Sequence, residues 1–326
     1  MGEKSVILKA EGIRKYFPVG RDGKTIHYLH ALDDVSISVK CGEIFGIVGE
    51  SGSGKSTLGR CLMGLYTPDA GQITFDGART DQMSRAQKKE LKKKIQMVFQ
   101  NPFSSFDPSM TMGNTFAEVG RVHFPRAEQK KFLAKCDSLI EMMKLPADIK
   151  SKRPGELSGG QLQRCAILRA LLLSPEFIVA DEAVSALDVS VQARILNLLM
   201  ELRDELGLTI LFISHDLAVV ERVCDTVAVL YLGSIMEAAK TEELYSHILH
   251  PYTQILMAAK PKNHPLEEKP KIEPVGEIPS AVDIPEGCRF AGRCPYAQEI
   301  CRTTTPALKE ARPGHEVACH FPLSGE

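Results

Sequence analysis

The chain contains no tryptophan, and aromatic residues make up only 6% of its 326 positions. No indole is present to report on ligand binding. Long hydrophobic runs are missing as well. Even Ala166–Ala180 is interrupted by Arg169, Ser174, Pro175 and Glu176, so no segment reaches the ~18 uninterrupted apolar residues of a membrane-spanning helix. Neither sign of charge is in excess. The 40 Lys+Arg stand against 41 Asp+Glu, which argues against a nucleic-acid binder built on a large basic surface. The start, Met-Gly-Glu-Lys-Ser-Val, lacks the basic opening and apolar stretch of a secretory signal, and Val6 stands where a myristoylation signal wants Ser or Thr. These absences point to a cytosolic protein. Nine cysteines are too dilute for a disulfide scaffold: Cys41, Cys61, Cys136, Cys165 and Cys224 lie far apart, and the other four crowd into the last forty residues.

What is present resembles an ordinary soluble protein, with 44% hydrophobic and 25% charged residues. Disorder and collagen are excluded, and the length suggests about two units. Residues 6–48 alternate apolar and polar, as in Val35-Ser36-Ile37-Ser38-Val39, then become continuously apolar over Ile44–Val48. The first pattern predicts half-exposed antiparallel strands, the second a strand buried on both faces. A helix is expected over Leu58–Leu65, a strand over Gln72–Phe75, a solvated basic helix face over Lys88–Lys94 and a strand over Ile95–Phe99. The loop Gln100–Pro108 leads into helical material from Thr111 to Met143, and Pro154-Gly155 precedes a helix over Gly160–Leu173. Strands at Phe177–Ala180, Thr209–Ile213 and Val227–Leu232, with a helix over Leu196–Leu206, complete an α/β pattern with a mainly parallel sheet. From Pro261 to Pro285 the composition turns to Pro, Glu, Lys and Gly, as in a linker or irregular appendage.

Gly49-Glu50-Ser51-Gly52-Ser53-Gly54-Lys55-Ser56 fits G-x-x-x-x-G-K-[ST] between a buried strand and a helix. Gly52 and Gly54 let the backbone turn its N–H groups around phosphate oxygens, and the helix beginning near Thr57 offers its positive end. Lys55 can neutralise β- and γ-phosphate charge, and the Ser56 hydroxyl can ligate Mg²⁺. The whole run Gly49–Thr57 is the expected nucleotide contact. A second element is the apolar strand Phe177–Ala180, which ends in Asp181 and Glu182. Beside a phosphate loop, Asp181 would hold Mg²⁺ and Glu182 would polarise the attacking water.

Between these elements stands Leu157-Ser158-Gly159-Gly160-Gln161. This pentapeptide resembles the signature of ATP-binding-cassette (ABC) ATPases, and the rest of that family's set follows in order. Tyr16 resembles its adenine-stacking aromatic, Gln100 its loop glutamine, Ser185-Ala186-Leu187-Asp188 the stretch after its acids, and His215 its strand-end histidine. The resemblance implies a P-loop NTPase fold with a RecA-like core, an antiparallel β-subdomain and a helical subdomain at about 101–165. It also implies a head-to-tail dimer that sandwiches two ATP molecules. Ser158 and Gly160 would then reach the partner's γ-phosphate, with Asp188 at the same interface, Gln100 would sense Mg²⁺ and the nucleophilic water, and His215 would orient that water. Two departures are recorded: Ala183 replaces a common Pro after the acids, so a less rigid turn is expected, and Leu162 follows the signature where Arg or Glu is common.

Cys288, Cys294, Cys301 and Cys319 lie in a Pro/Gly-rich segment with Arg289, Arg293, Arg302, His315 and His320 nearby. Thiolate ligation of a metal is the physical suggestion in a reducing compartment. The segment, together with His250-Pro251-Tyr252-Thr253, resembles the C-terminal extension of dipeptide and oligopeptide importer ATPases, which implies a [4Fe–4S] cluster; zinc and four reduced core cysteines are the alternatives. Gly59-Arg60-Cys61-Leu62 and Leu65-Tyr66-Thr67-Pro68, with Phe103–Pro108, resemble the second (F-type) of the two paired ATPases. The expected division is an ATPase domain over 1–255 and an irregular cysteine-containing extension over 256–326.

The function implied is hydrolysis of ATP at the cytoplasmic face of the inner membrane, driving peptide import. The implied partners are a second ATPase subunit, two membrane permeases and, indirectly, an extracytoplasmic substrate-binding protein. Nickel or another small solute is the same-fold alternative, and a soluble non-transport cassette ATPase the alternative of another class. Phe103 and Phe106 are expected to be exposed for a permease contact. Because the cassette motifs end by His215, about seventy residues before the cysteines, hydrolysis is expected to survive changes in them.

Overall fold

The structure, a computed structural model, describes residues 5–23, 25–185, 187–259, 275–277, 279–282 and 284–324. Most of the Pro/Glu/Lys stretch expected as a linker lies outside the described residues, as does Ala186 of the Ser185–Asp188 run. The chain forms two compact units, one of Met1–Gln82 with Phe212–Glu326 and the other of Met83–Leu211.

In the first unit the alternating residues form a long hairpin, Val6–Asp22 against Thr25–Lys40, with Val6 opposite Lys40 and Asp22 opposite Thr25. Val35, Ile37 and Val39 are buried while Ser36 and Ser38 are exposed, as a period of two requires. Ala70–Phe75 pairs antiparallel on the other side of Val6–Asp22, followed by Ala78–Arg79. The continuously apolar Ile44–Val48 is wholly buried and runs parallel to Thr226–Tyr231. A tight reversal at Leu232-Gly233, both at positive φ, turns the chain into Ser234–Lys240, antiparallel to Thr226–Tyr231.

The cysteine-containing tail is more regular than its composition suggests. It contributes a helix, Glu299–Thr303, and a hairpin, Lys309–Arg312 with His315–Val317, whose second strand pairs with Ser234–Lys240. His315 is fully buried there and meets the equally buried Glu237 at 2.8 Å.

The second unit opens with the helix Arg85–Lys94, closed at its start by a reciprocal Ser84–Gln87 capping box and burying no side chain. Ile95–Val98 follows, parallel to Phe177–Asp181. The expected helical stretch from Thr111 is split into Met112–His123 and Gln129–Met142. The break falls where Phe124 precedes Pro125 and takes an extended backbone, because the proline ring clashes with a helical residue before it. Gly159–Leu171 starts beside the expected position, whereas the helix expected from Leu196 begins at Val189, capped by Asp188. Strand Thr209–Ser214 carries the chain from the second unit back to the first.

Phe106 is a correction to the expected exposed pair: Phe103 is 52% exposed, but Phe106 is 6% exposed. The Arg169 guanidinium lies 4.7 Å from the Phe106 ring and donates to the Ser105 carbonyl, so the ring is drawn inward.

Helix Met112–His123 offers an internal comparison, since Phe116 is 1% and Val122 is 62% exposed. Phe116→Ala is expected to lower stability by about 3–5 kcal/mol, and Val122→Ala by less than about 0.5 kcal/mol, in urea unfolding.

Candidate nucleotide site

The phosphate-type loop lies in the first unit, between the buried strand Ile44–Val48 and the helix Lys55–Leu62. Its shape depends on glycine at two positions. Gly54 sits at φ +105°, where a Cβ would come within 2.2 Å of the Ala31 carbonyl oxygen, and a Cβ on Gly49 would come within 2.1 Å of the Leu230 carbonyl oxygen. Only a residue without a Cβ permits this close backbone approach. Lys55 is 4% exposed, and its ammonium donates to the Gly49 carbonyl at 2.7 Å and the Glu50 carbonyl at 2.8 Å. Ser53 is buried, Ser51 and Gly52 are exposed, and Ser56 and Thr57 are half-buried at the helix start.

Tyr16 and His215 belong to the same unit. The half-buried Tyr16 ring lies 4.3 Å from His30, and its hydroxyl donates to Asp33 at 2.8 Å. Burial first, and then this bond, pushes the Tyr16 hydroxyl pKa up to about 12. Burial alone would raise the Asp33 carboxyl, but the Tyr16 hydrogen bond and the charge of Arg289 outweigh it and lower the pKa. His215 is exposed between strand Thr209–Ser214 and helix Leu217–Val223.

The remaining candidates belong to the second unit. Asp181, 4% exposed, ends strand Phe177–Asp181. Glu182 follows at φ +48° and accepts from the Gln100 side-chain amide at 2.9 Å, so these two candidates are brought together. Ser158 caps helix Gly159–Leu171, accepting from the Gln161 N–H at 3.3 Å while the Gln161 side chain accepts from the Ser158 N–H at 3.0 Å. Gly160 is buried where a Cβ would meet Val191 Cγ1 at 2.5 Å, so it also serves close packing of two helices. Asp188 caps the next helix by accepting from the Val191 N–H at 3.0 Å.

Four residues without a role assigned from the sequence, Arg293, Tyr252, Arg289 and Asp33, lie against the phosphate loop or Tyr16 in the first unit. Arg293 closes bidentately on the Glu50 carboxylate at 2.7 and 3.0 Å, and the Glu50 N–H donates to the Tyr252 hydroxyl at 2.9 Å. Arg289 pairs with Asp33, the acceptor of Tyr16. The signal lay in two arginines placed next to Cys288 and Cys294. Through Arg293 the tail touches the phosphate loop.

Cys288, Cys294, Cys301 and Cys319 line one small pocket of about 20 Å³ with His250 and Phe290. Burial pushes up the Cys288 and Cys294 thiols, and raises Cys319 to about 11. Among the described residues no group of three or more His, Cys, Asp or Glu is arranged to hold a metal ion.

A glycine-shaped loop around a buried lysine, an apolar strand ending in two acids and a serine-capped helix define an ATP-binding cassette of the P-loop class. A family model for ABC transporters matches residues 32–185, and one for the oligopeptide/dipeptide transporter C-terminal region matches 236–301. A putative peptide import ATP-binding protein of Brucella abortus (strain 2308) is 48% identical over 291 residues, 89% of this chain and 92% of that protein. The oligopeptide transport ATP-binding protein AppF of Bacillus subtilis (strain 168) is 44% identical over 325 residues, 98% of each chain. Among solved structures, the MJ0796 cassette dimer bound to ADP and Pi has a TM-score of 0.61 at 29% identity, covering 72% of this chain and 99% of that one. The ADP form of the MJ1267 cassette has a TM-score of 0.64 at 28% identity, covering 78% of this chain and 100% of that one. The chain belongs to the ABC transporter family of ATPases, in the branch that carries the oligopeptide/dipeptide transporter C-terminal region.

Gly54→Ala tests the loop geometry. It is expected to abolish binding of a fluorescent ATP analogue, because neither the left-handed backbone nor the 2.2 Å approach to Ala31 survives a methyl group.

Proposed function

We propose that this chain is the ATP-hydrolysing subunit of an importer of di- or oligopeptides. Its partners are a second, different ATPase subunit and two membrane permeases at the cytoplasmic face of the membrane, with an extracytoplasmic binding protein delivering the substrate. The observation that carries this reading is an intact phosphate loop around Lys55 in a chain that also matches the oligopeptide/dipeptide transporter C-terminal region. The names of the relatives from Brucella and Bacillus support the substrate class. Among the described residues no helix is long and apolar enough to cross a membrane, so the translocation path belongs to other subunits.

In this reading Lys55 and the loop N–H groups hold the β- and γ-phosphates, and the Tyr16 ring stacks on the base. Ser56 and Asp181 would hold Mg²⁺, which neutralises phosphate charge when bound. Glu182 polarises the attacking water; its bond from Gln100 orients the carboxylate and keeps the sensor beside it. His215 orients the water from the strand end. Ser158, Gly160 and Asp188 present the start of a helix and its neighbour to the nucleotide of the paired subunit. Exposed Phe103, in the loop that begins with Gln100, is the contact offered to a permease.

The convergence of four buried or half-buried thiols on one pocket supports a thiolate-bound centre in the tail, a [4Fe–4S] cluster or else zinc. Cys288, Cys294, Cys301 and Cys319 would be its ligands, and the centre would fix a segment of few large apolar residues.

Glu182→Gln is expected to bind MgATP and lose turnover by at least ~10²-fold, whereas Lys55→Ala loses binding itself. Phosphate release and analogue binding measured side by side check this, and near-normal turnover in the glutamine variant would remove Glu182 from its role. Anaerobically purified protein is expected to contain iron and sulfide and to lose both on any single Cys→Ser change among the four. Stoichiometric zinc without sulfide would replace the cluster by a structural metal, and a metal-free, ordered tail would defeat both.

A further inference from the structure

Glu50 places a carboxylate inside a loop that must receive a polyphosphate. Its carboxylate adds negative charge beside the site, and like charges at short range weaken binding unless one is neutralised. Arg293 supplies that neutralisation from the far end of the chain. Both its terminal nitrogens meet the Glu50 carboxylate, at 2.7 and 3.0 Å, and its side chain is 7% exposed against 24% for Glu50. The guanidinium also lies 5.7 Å from the rings of Tyr231 and Phe290, so aromatic faces fix its plane. The Tyr252 hydroxyl holds the Glu50 N–H at 2.9 Å, so the residue is gripped by backbone and side chain together.

The base from which Arg293 reaches is itself fixed. The neighbouring Arg289 donates to Asp33 and to the Leu232 carbonyl, the Cys288 N–H donates to the Cys301 carbonyl at 2.8 Å, and Phe290 is fully buried. An anchor of this kind transmits position to what it holds.

We propose that Arg293 is a positioning residue of the ATP site: it neutralises Glu50 and sets the phosphate loop, so that the C-terminal segment governs nucleotide affinity. This rests on the ATPase reading above and adds to it a residue outside the cassette motifs. Removing the arginine leaves the Glu50 carboxylate without its guanidinium partner in the loop that receives the phosphates, which is costlier than removing both partners.

The test uses the full chain and methylanthraniloyl-ATP, read by anisotropy, with Lys55→Ala run alongside. Arg293→Gln is expected to raise the dissociation constant at least about tenfold, and KM for ATP in proportion, with kcat within about threefold. Glu50→Gln has a smaller effect, and the double variant binds better than Arg293→Gln alone, because the offending charge is gone. Arg293→Lys falls between wild type and Arg293→Gln, since it keeps the charge and loses the fork. A double variant no better than Arg293→Gln would mean that the arginine only supports the fold, and would overturn the proposal. Unchanged affinity in Arg293→Gln, with Lys55→Ala inactive, overturns this proposal alone. Failure of the wild type to bind overturns the ATPase reading with it. Should Arg293→Gln fail to fold, the lysine variant decides, and wild-type affinity there overturns the proposal.

Discussion

A lysine ammonium held inside its own loop is the constraint on which the nucleotide-binding unit depends. Lys55 is almost fully buried, and a charge out of water needs polar partners close by. The carbonyls of Gly49 and Glu50 are those partners. To point them inward the chain must curl back over the helix start, and the curl is possible only with glycine at Gly54 and Gly49, where backbone of Ala31 and Leu230 leaves no room for a side chain. The hairpin that carries Ala31 and the strand that carries Leu230 thus form the mould of the loop. The wholly apolar Ile44–Val48 delivers the chain to that mould at a fixed height.

Elements with a strong period were legible in the sequence, and those defined by pairing or by breaks were not. The alternation of Val35–Val39 and the uninterrupted Ile44–Val48 gave their strands at once, because side-chain burial follows the backbone period. The helix before Leu196 was missed over its first turns, where Val189 is 82% exposed and no apolar face announces it; the Asp188 cap was the available sign. The tail hairpin Lys309–Arg312 with His315–Val317 reads as loop, since its residues are polar and its strand character comes from pairing with Ser234–Lys240. Phe106 appeared exposed because its cover, Arg169, stands 63 residues later in the chain.

The site divides along the same line. Contiguous motifs such as Gly49–Ser56 and Phe177–Glu182 are legible because their residue types and spacing stand together in the chain. Ion pairs do not. Arg293 and Glu50 are separated by 243 positions, and nothing local to either residue tells of the other. The packing of Tyr231, Tyr252 and Phe290, with ring centroids 4.6 to 5.4 Å apart, helps bring the tail to the loop, together with the bonds of Arg289 to Asp33 and the Leu232 carbonyl.

Glu182 shows how the second unit holds a side chain on a strained backbone. A residue with a Cβ costs roughly 1–2 kcal/mol in the left-handed region, and Glu182 stands there at φ +48°. Three neighbours keep it in place. Ala183 and Val184 are each 2% exposed and so anchor the turn from below, and Ser185 donates both its N–H, at 3.1 Å, and its hydroxyl, at 3.0 Å, to the Glu182 carbonyl. The replacement of proline by Ala183 suggested a looser turn; the paired bonds from Ser185 supply local restraint that a proline ring would otherwise give. With its backbone fixed in this way and its carboxylate bonded to Gln100, the side chain has little conformational freedom left, as the proposed role of polarising a water requires.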